Sequence, residues 1–167
     1  MVITTTERLS IRVPRLEDAE WLLELNNDPL WVQFCGNWGV HSLDDAAEYA
    51  SNCRKHTEYY GHGLWVVEHK QSAAPVGVCG LLTRGIFIHP DLGYGLLKPY
   101  RGQGIAKEAA MGVIDWARHS GKFTHLTAMA HVDNYASQSL LARLGFEREG
   151  KIFLKNVFDQ YLFRATL

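Results

Sequence analysis

Apolar and polar positions alternate early in the chain: Leu9, Ile11 and Val13 face one way and Ser10 and Arg12 the other, the two-residue period of a strand. Pro14 ends it, and the spacing of Leu16, Ala19, Leu22, Leu23 and Leu25 predicts a helix that Asn26-Asn27-Asp28-Pro29 terminates. The glycine- and tryptophan-rich stretch from Trp31 to His41 reads as a loop. Ser42, with Asp45 three residues on, reads as a capping box that opens a helix through Ala46, Ala47, Ala50 and Cys53. Two apolar runs at 64–68 and 76–82, joined by a turn at 71–75, predict a hairpin, and 92–97 is a further strand. Over 104–119 the positions of Ile105, Ala109, Val113, Ile114, Trp116 and Ala117 predict an amphipathic helix, which Gly121 ends. A strand at 126–132 follows, and a strand–helix–strand unit implies a parallel pair with a right-handed crossover. A short helix through Leu140, Leu141 and Leu144 stops at Gly145, a residue suited to the left-handed position after a helix. The tail, 151–167, supplies one or two closing strands, with Asn156 or Asp159-Gln160 as turn signals. No repeat, low-complexity tract or charge block marks a boundary, so residues 1–167 are expected to form a single α/β domain on a mixed sheet.

Composition narrows the function. A hydrophobic content of 47% over 167 residues is that of a folded globular chain. Seventeen Lys+Arg against 18 Asp+Glu leave a net charge of −1, which excludes a strongly basic nucleic-acid binder. No signal-peptide run opens the chain and no apolar stretch is long enough to span a bilayer, so the expected partners include neither nucleic acid nor membrane and the expected location is cytoplasmic. Cys35, Cys53 and Cys79 are too few and too scattered for a disulfide framework or a zinc clasp, and no metal is expected.

The segment 91–109 carries the chemistry. Gly102 and Gly104 lack a Cβ, so the backbone can turn sharply there and bring successive N–H groups to a ligand. Those groups lie at the start of a helix, where four donors lack internal partners and the dipole's positive end emerges; a phosphate or pyrophosphate fits. Arg101 and Lys107 add positive charge. A P-loop is excluded, because Gly-Lys-Ser/Thr occurs nowhere. A dinucleotide fingerprint is excluded too, because position 107 is lysine and the turn lies past mid-chain.

The pattern Arg101-x-x-Gly104-x-Ala106 resembles the acetyl-CoA pyrophosphate signature of the GNAT superfamily of N-acetyltransferases. The segment from Asn134 through Ser137 and Leu140 to Gly145-Phe146 and Gly150 is similar to that family's second cofactor motif. Thr6-Glu7-Arg8-Leu9, Asp28-Pro29, Gly36-Asn37, Trp65, Glu68, Gly77 and Gly80 extend the likeness to the branch of ribosomal-protein alanine and serine N-terminal acetyltransferases. The resemblance implies a GNAT-like α/β fold: a mixed, mostly antiparallel sheet, a central parallel pair splayed at the cofactor site, and helices on both faces. It implies acetyl-CoA as acyl donor, with its pantetheine arm in the gap, where a splayed strand leaves N–H and C=O groups to be satisfied. By that likeness Leu96 and Leu97 make backbone contacts, and Gln103, Gly104, Ile105 and Ala106 hold the pyrophosphate beside Arg101 and Gly102. Asn134 lies on the pantetheine arm, although it also suits a plain turn after a strand.

Acetyl transfer to an amine needs a neutral nitrogen, a stabilised oxyanion and a departing thiolate. The likeness assigns the oxyanion to the backbone N–H of Tyr94, and the base to Asp91, directly or through water; His89 and His131 are weaker candidates. Asp91 is equally suited to a strand start. Many members carry a tyrosine acid where this chain has Leu141, and Ser137 is the hydroxyl that some ribosomal-type members use instead; it also suits a helix's first turn. A thiol pKa of about 8.5 lets the sulfur depart without full protonation, so a hydrogen bond from Ser137 or from a nearby tyrosine is expected to serve. Cys35 is the one thiol in a loop, with no base beside it in sequence. Trp31, Phe34, Trp38 and His41, with Tyr59, Tyr60 and Arg84, are expected to wall the acceptor side, which leaves a peptide N-terminus, an amino acid or other small amine, and an antibiotic amine all open. Two functions follow. One is an N-acetyltransferase working by direct attack in a ternary complex. The other is a non-catalytic acyl-CoA-binding module of the same fold, which Leu141 keeps in play.

Overall fold

The structure, a computed structural model, describes residues 1–154 and 158–167. Its strands are β1 (Val2–Thr5), β2 (Leu9–Arg12), β3 (Leu64–His69), β4 (Pro75–Leu82), β5 (Asp91–Leu96), β6 (His125–His131), β7 (Glu147–Leu154) and β8 (Phe158–Thr166). They join in one sheet in the order β1-β2-β3-β4-β5-β6-β8-β7, in which β5–β6 is the parallel pair and every other neighbour is antiparallel. The helices are α1 (Ala19–Asn27), α2 (Pro29–Cys35), α3 (Leu43–Tyr60), α4 (Ile105–Ser120) and α5 (Tyr135–Arg143).

Both faces of the sheet are covered. Leu9, Ile11, Trp65 and Leu126 pack against Ile105, Ala109, Val113 and Ala117 of α4 and Leu141 of α5. On the other face Leu64 and Val78 meet Leu22 and Leu25 of α1, Trp31 of α2 and Ala46 and Ala50 of α3. Gly95 makes the α2 contact possible: a Cβ there would stand 2.2 Å from Trp31 Cζ3, so only a bare backbone lets the indole lie on β5. No described helix is long and apolar enough to cross a membrane.

The expected elements are present, with four corrections. The first part of the loop expected from Trp31 is helical: Asp28 accepts from the amides of Leu30 and Trp31, Pro29 occupies the first turn, and α2 runs to Cys35. Leu16 lies in a 3₁₀ turn ahead of α1 and is exposed rather than on its buried side. Asp159-Gln160 is no turn but part of β8, and β7 begins at Glu147, ahead of the expected tail; Asn156 lies outside the described residues. Finally, β1 is a separate edge strand, folded back on β2 through Thr6, whose Oγ1 accepts from Leu9 N at 3.1 Å.

The parallel pair positions the site. Between β5 and β6 only Asp91–Thr127 and Leu92–Ala128 are paired, whereas β4 follows β5 through Leu96 and β8 follows β6 through His131. The two central strands therefore part at their C-terminal ends, each still held on its outer side.

Candidate active site

Ladder geometry decides what faces the gap. Leu97 N donates to Val76 O at 2.9 Å, and the register sets Leu96 opposite Gly77 and Tyr94 opposite Cys79. Because antiparallel residues alternate between bonding the partner strand and facing away, the peptide groups of Tyr94 and Leu96 turn from β4 toward the gap. Leu96 O there accepts from Arg101 Nε at 3.1 Å.

At the end of β5 the chain makes its glycine turn. Gly102 (φ 73°) and Gly104 (φ 75°) are left-handed, and Gly104 caps α4 with no side chain satisfying the first-turn amides. The N–H groups of Ile105, Ala106 and Lys107 therefore open outward at the positive end of a 16-residue helix. Nothing lies within 4 Å of a Cβ built at Gly102, and only Arg8 Nη2, at 3.6 Å, approaches one at Gly104. This uncapped concavity fits a pyrophosphate, and the gap beside it fits an amide-bearing arm.

Two arginines frame the turn differently from expectation. Arg101 is committed to Leu96 O and, through Nη2, to Asp28 Oδ1 at 2.7 Å, so it ties the turn to the cap of α2. Burial pushes the Asp28 carboxyl up, but the bonds from Arg101 and the α2 amides hold it below the usual range. Arg8, which motif reasoning assigned no role, lies against the turn: Nη1 donates to Gln103 O at 3.1 Å and Nε to Glu108 Oε2 at 2.6 Å. The Gln103 side chain bonds Pro99 O at 2.9 Å.

At the mouth of the gap opens a cavity of about 370 Å³. Asp91, Tyr94, Asn134 and Ser137 all line it, with Arg84, His131 and Trp31. Asp91 is buried; its Oδ2 accepts from Arg84 Nε at 2.8 Å, and its Oδ1 has no partner among the described residues. Burial pushes this carboxyl up to about 6 against the pull of the Arg84 charge. Tyr94 Oη lies 2.7 Å from Ser137 Oγ, a bond from β5 to α5. Burial raises the phenol well above its usual range, opposed by the Ser137 bond. Asn134 caps α5 by accepting from Ser137 N at 3.2 Å, which leaves its Nδ2 toward the cavity without a described partner.

The remaining candidates separate clearly. His131 is in the cavity wall, its Nδ1 accepting from Asp133 N at 3.1 Å, while His89 stacks on His125 and is not. Trp31, Phe34, Trp38 and Arg84 form the expected wall, but His41, Tyr59 and Tyr60 do not line it; the faces used from α3 are Tyr49, Asn52, Cys53 and His56. His56 was not legible in the sequence. Its Nε2 accepts from Thr83 N at 3.2 Å, and burial and the Arg84 charge lower its pKa. Cys35 is in the wall with its thiol pushed by burial up to about 11, which leaves no thiolate at neutral pH. No group of three metal-ligating side chains occurs among the described residues.

The family profile described as "Acetyltransferase (GNAT) domain" matches residues 8–147. The uncharacterized N-acetyltransferase YjdG of Bacillus subtilis strain 168 is 28% identical over 154 residues, covering 87% of this chain and 90% of YjdG. Two solved structures share the fold. RimL, a ribosomal L7/L12 alpha-N-protein acetyltransferase in complex with coenzyme A, superposes with a TM-score of 0.86 at 18% identity, covering 100% of this chain and 98% of RimL. Mycobacterium smegmatis RimJ gives 0.83 at 19%, over 98% of this chain and 86% of RimJ.

Proposed function

The chain belongs to the GNAT acetyltransferase family, and from that premise we propose that residues 1–167 act as one catalytic domain that carries acetyl from acetyl-CoA to a primary amine by direct attack, donor and acceptor bound together. The observation that carries this reading is the meeting, in one cavity at the mouth of the split sheet, of a buried carboxylate oxygen with no partner among the described residues and a paired hydroxyl donor.

The backbone amides from Gln103 to Ala106, in the turn and the start of α4, hold the pyrophosphate, and the turned-out peptide groups of Tyr94 and Leu96, with Asn134 Nδ2, receive the amides of the arm. Bound acetyl-CoA supplies a thioester whose carbonyl carbon is open to a nucleophile. Tyr94 N–H bonds the carbonyl oxygen as charge gathers on it. Asp91 Oδ1 accepts the proton that the amine sheds as its nitrogen bonds the acetyl carbon. As the carbon–sulfur bond breaks, the electron pair stays on sulfur, and the Tyr94–Ser137 hydroxyl pair donates to it. Leu141, fully buried in the core, cannot serve there; Tyr94 reaches the same helix one turn earlier, from the sheet.

An acceptor screen tests the reading. A panel of amino acids, amines and peptide N-termini is incubated with acetyl-CoA, and free thiol is measured alongside CoA binding by calorimetry. Thiol release dependent on a particular amine is expected. CoA binding with no release from any amine establishes instead a module that binds the donor without transferring it.

A further inference from the structure

Resting on the transfer to an amine proposed above, we infer that the acceptor is a free α-amino acid with a bulky apolar side chain, its amine on Asp91 and its carboxylate on Arg84. Four buried side-chain polar atoms lack a partner among the described residues, and two of them, Asp91 Oδ1 and Trp31 Nε1, belong to residues lining this one cavity. Buried polar groups are rarely left unpaired, so the orphaned Asp91 oxygen, beside this cavity, points to a ligand that donates to it.

Arg84 supplies the charge. Its Nε is bound to Asp91 Oδ2, while its terminal nitrogens bond no described residue and its side chain is 25% exposed in the cavity wall. The ion pair thus sets a free carboxylate oxygen beside a free guanidinium edge. An α-amino acid carries amine and carboxylate on a single carbon, in the complementary order. A guanidinium edge bonds a carboxylate by charge-assisted hydrogen bonds, roughly twice as strong as those to a neutral amide oxygen.

The rest of the wall selects the side chain and excludes other amines. Trp31, Phe34, Trp38, Leu64, Leu82 and Met129 offer apolar surface around it. Among the described residues Asp91 is the only acidic one lining the cavity, and it is already paired, so a polyamine or a polycationic antibiotic would bring cations that nothing there balances. A volume of about 370 Å³ is at the small end for ligand sites and suits one amino acid better than a polypeptide segment.

The test compares L-phenylalanine, L-leucine, phenylalaninamide and a tripeptide beginning with phenylalanine, by thiol release and by calorimetric binding in the presence of CoA. Free phenylalanine is expected to exceed its amide by at least about tenfold in both kcat/KM and affinity, because the amide leaves Arg84 without its anion. In Arg84→Gln that ratio falls to about one. It compares two acceptors on one enzyme, so any change Arg84 exerts on Asp91 cancels from it. The parent's own ratio decides the matter if the variant does not fold. An amide or tripeptide as good as the free acid, or a preference that survives in Arg84→Gln, overturns the assignment while leaving amine transfer intact. No thiol release from any amine overturns the transfer reading as well.

Discussion

Tyr94 Oη and Ser137 Oγ, 43 positions apart in sequence, meet at 2.7 Å across the opening between β5 and α5. With the phenol raised by burial, the pair stays protonated at neutral pH, the form that the proposed donation to a departing sulfur needs. Tyr94→Phe is expected to lower kcat by roughly 10- to 100-fold, at the low end of general-acid effects, with CoA affinity within about twofold of the parent. Ser137→Ala falls similarly, and the double variant is little worse than either single one, because the two hydroxyls act as a unit. The deficit narrows above about pH 8.5, where thiolate needs no proton. A pH-independent loss would make the bond structural only.

On the proposed mechanism Asp91 is expected to set the acidic limb. Burial raises its pKa to about 6, so the base form prevails above that pH and is lost as pH falls through it. In the parent, kcat/KM expressed per neutral amine should rise with pH through about 6 and then flatten, because this quantity reports groups of the free enzyme and the free substrate. Asp91→Asn should lose that limb along with most of its turnover, while binding CoA normally. A limb that persists unchanged in Asp91→Asn removes this carboxylate from the mechanism.

What the sequence discloses follows from how local each feature is. The glycine turn is local: left-handed Gly102 and Gly104 ahead of an amphipathic helix leave few alternatives, and the crossover to β6 follows from the strand–helix–strand pattern. The helix α2 was also locally encoded, by Asp28 as cap and Pro29 in the first turn, but the glycines and tryptophans after it masked the signal. Tyr94 is legible as a backbone position and not as a particular hydroxyl, since its partner Ser137 lies 43 positions away on α5. His56 reaches the cavity only because α3 is laid across the sheet beside β3 and the residue that follows β4, and nothing in its own neighbourhood says so. Arg84 could be placed near the acceptor, yet its bond to Asp91 depends on how the β4–β5 connection folds back.

Gly104 and Gly121 give a matched pair to test the proposed phosphate site. Both are left-handed at an end of α4, and neither has a close contact at its Cβ position, so valine at either costs similar backbone strain of about 1–2 kcal/mol. Only Gly104 lies where the pyrophosphate would rest. Gly104→Val is expected to weaken CoA binding by tenfold or more in calorimetry, while Gly121→Val lowers the melting temperature comparably and binds CoA as the parent does. Equal affinities in the two variants would displace the phosphate from the turn.

Arg8 reaches the same turn from the far edge of the sheet. Glu108, in the first turn of α4, accepts from Thr6 Oγ1 at 2.6 Å, from Arg8 N at 2.8 Å and from Arg8 Nε at 2.6 Å, which fastens the β1–β2 connection to the helix start. Burial pushes the Glu108 carboxyl up, but these bonds outweigh it and hold the group ionised. The pair is partly exposed, with side chains 40% and 19% accessible, so its direct worth to stability is about 0–1 kcal/mol. Its larger effect is on the anion site, because it keeps a guanidinium beside Gly104 and bonded to Gln103 O. Arg8→Ala is therefore expected to weaken CoA binding by about tenfold, or about 1.4 kcal/mol, with little change in melting temperature. Arg8→Lys should recover part of the loss, since it keeps the charge without the planar fork. Removing a cation next to a diphosphate also flattens the decline of affinity with ionic strength. CoA binding in Arg8→Ala with parental affinity and salt dependence would reduce this arginine to a strut between β1–β2 and α4.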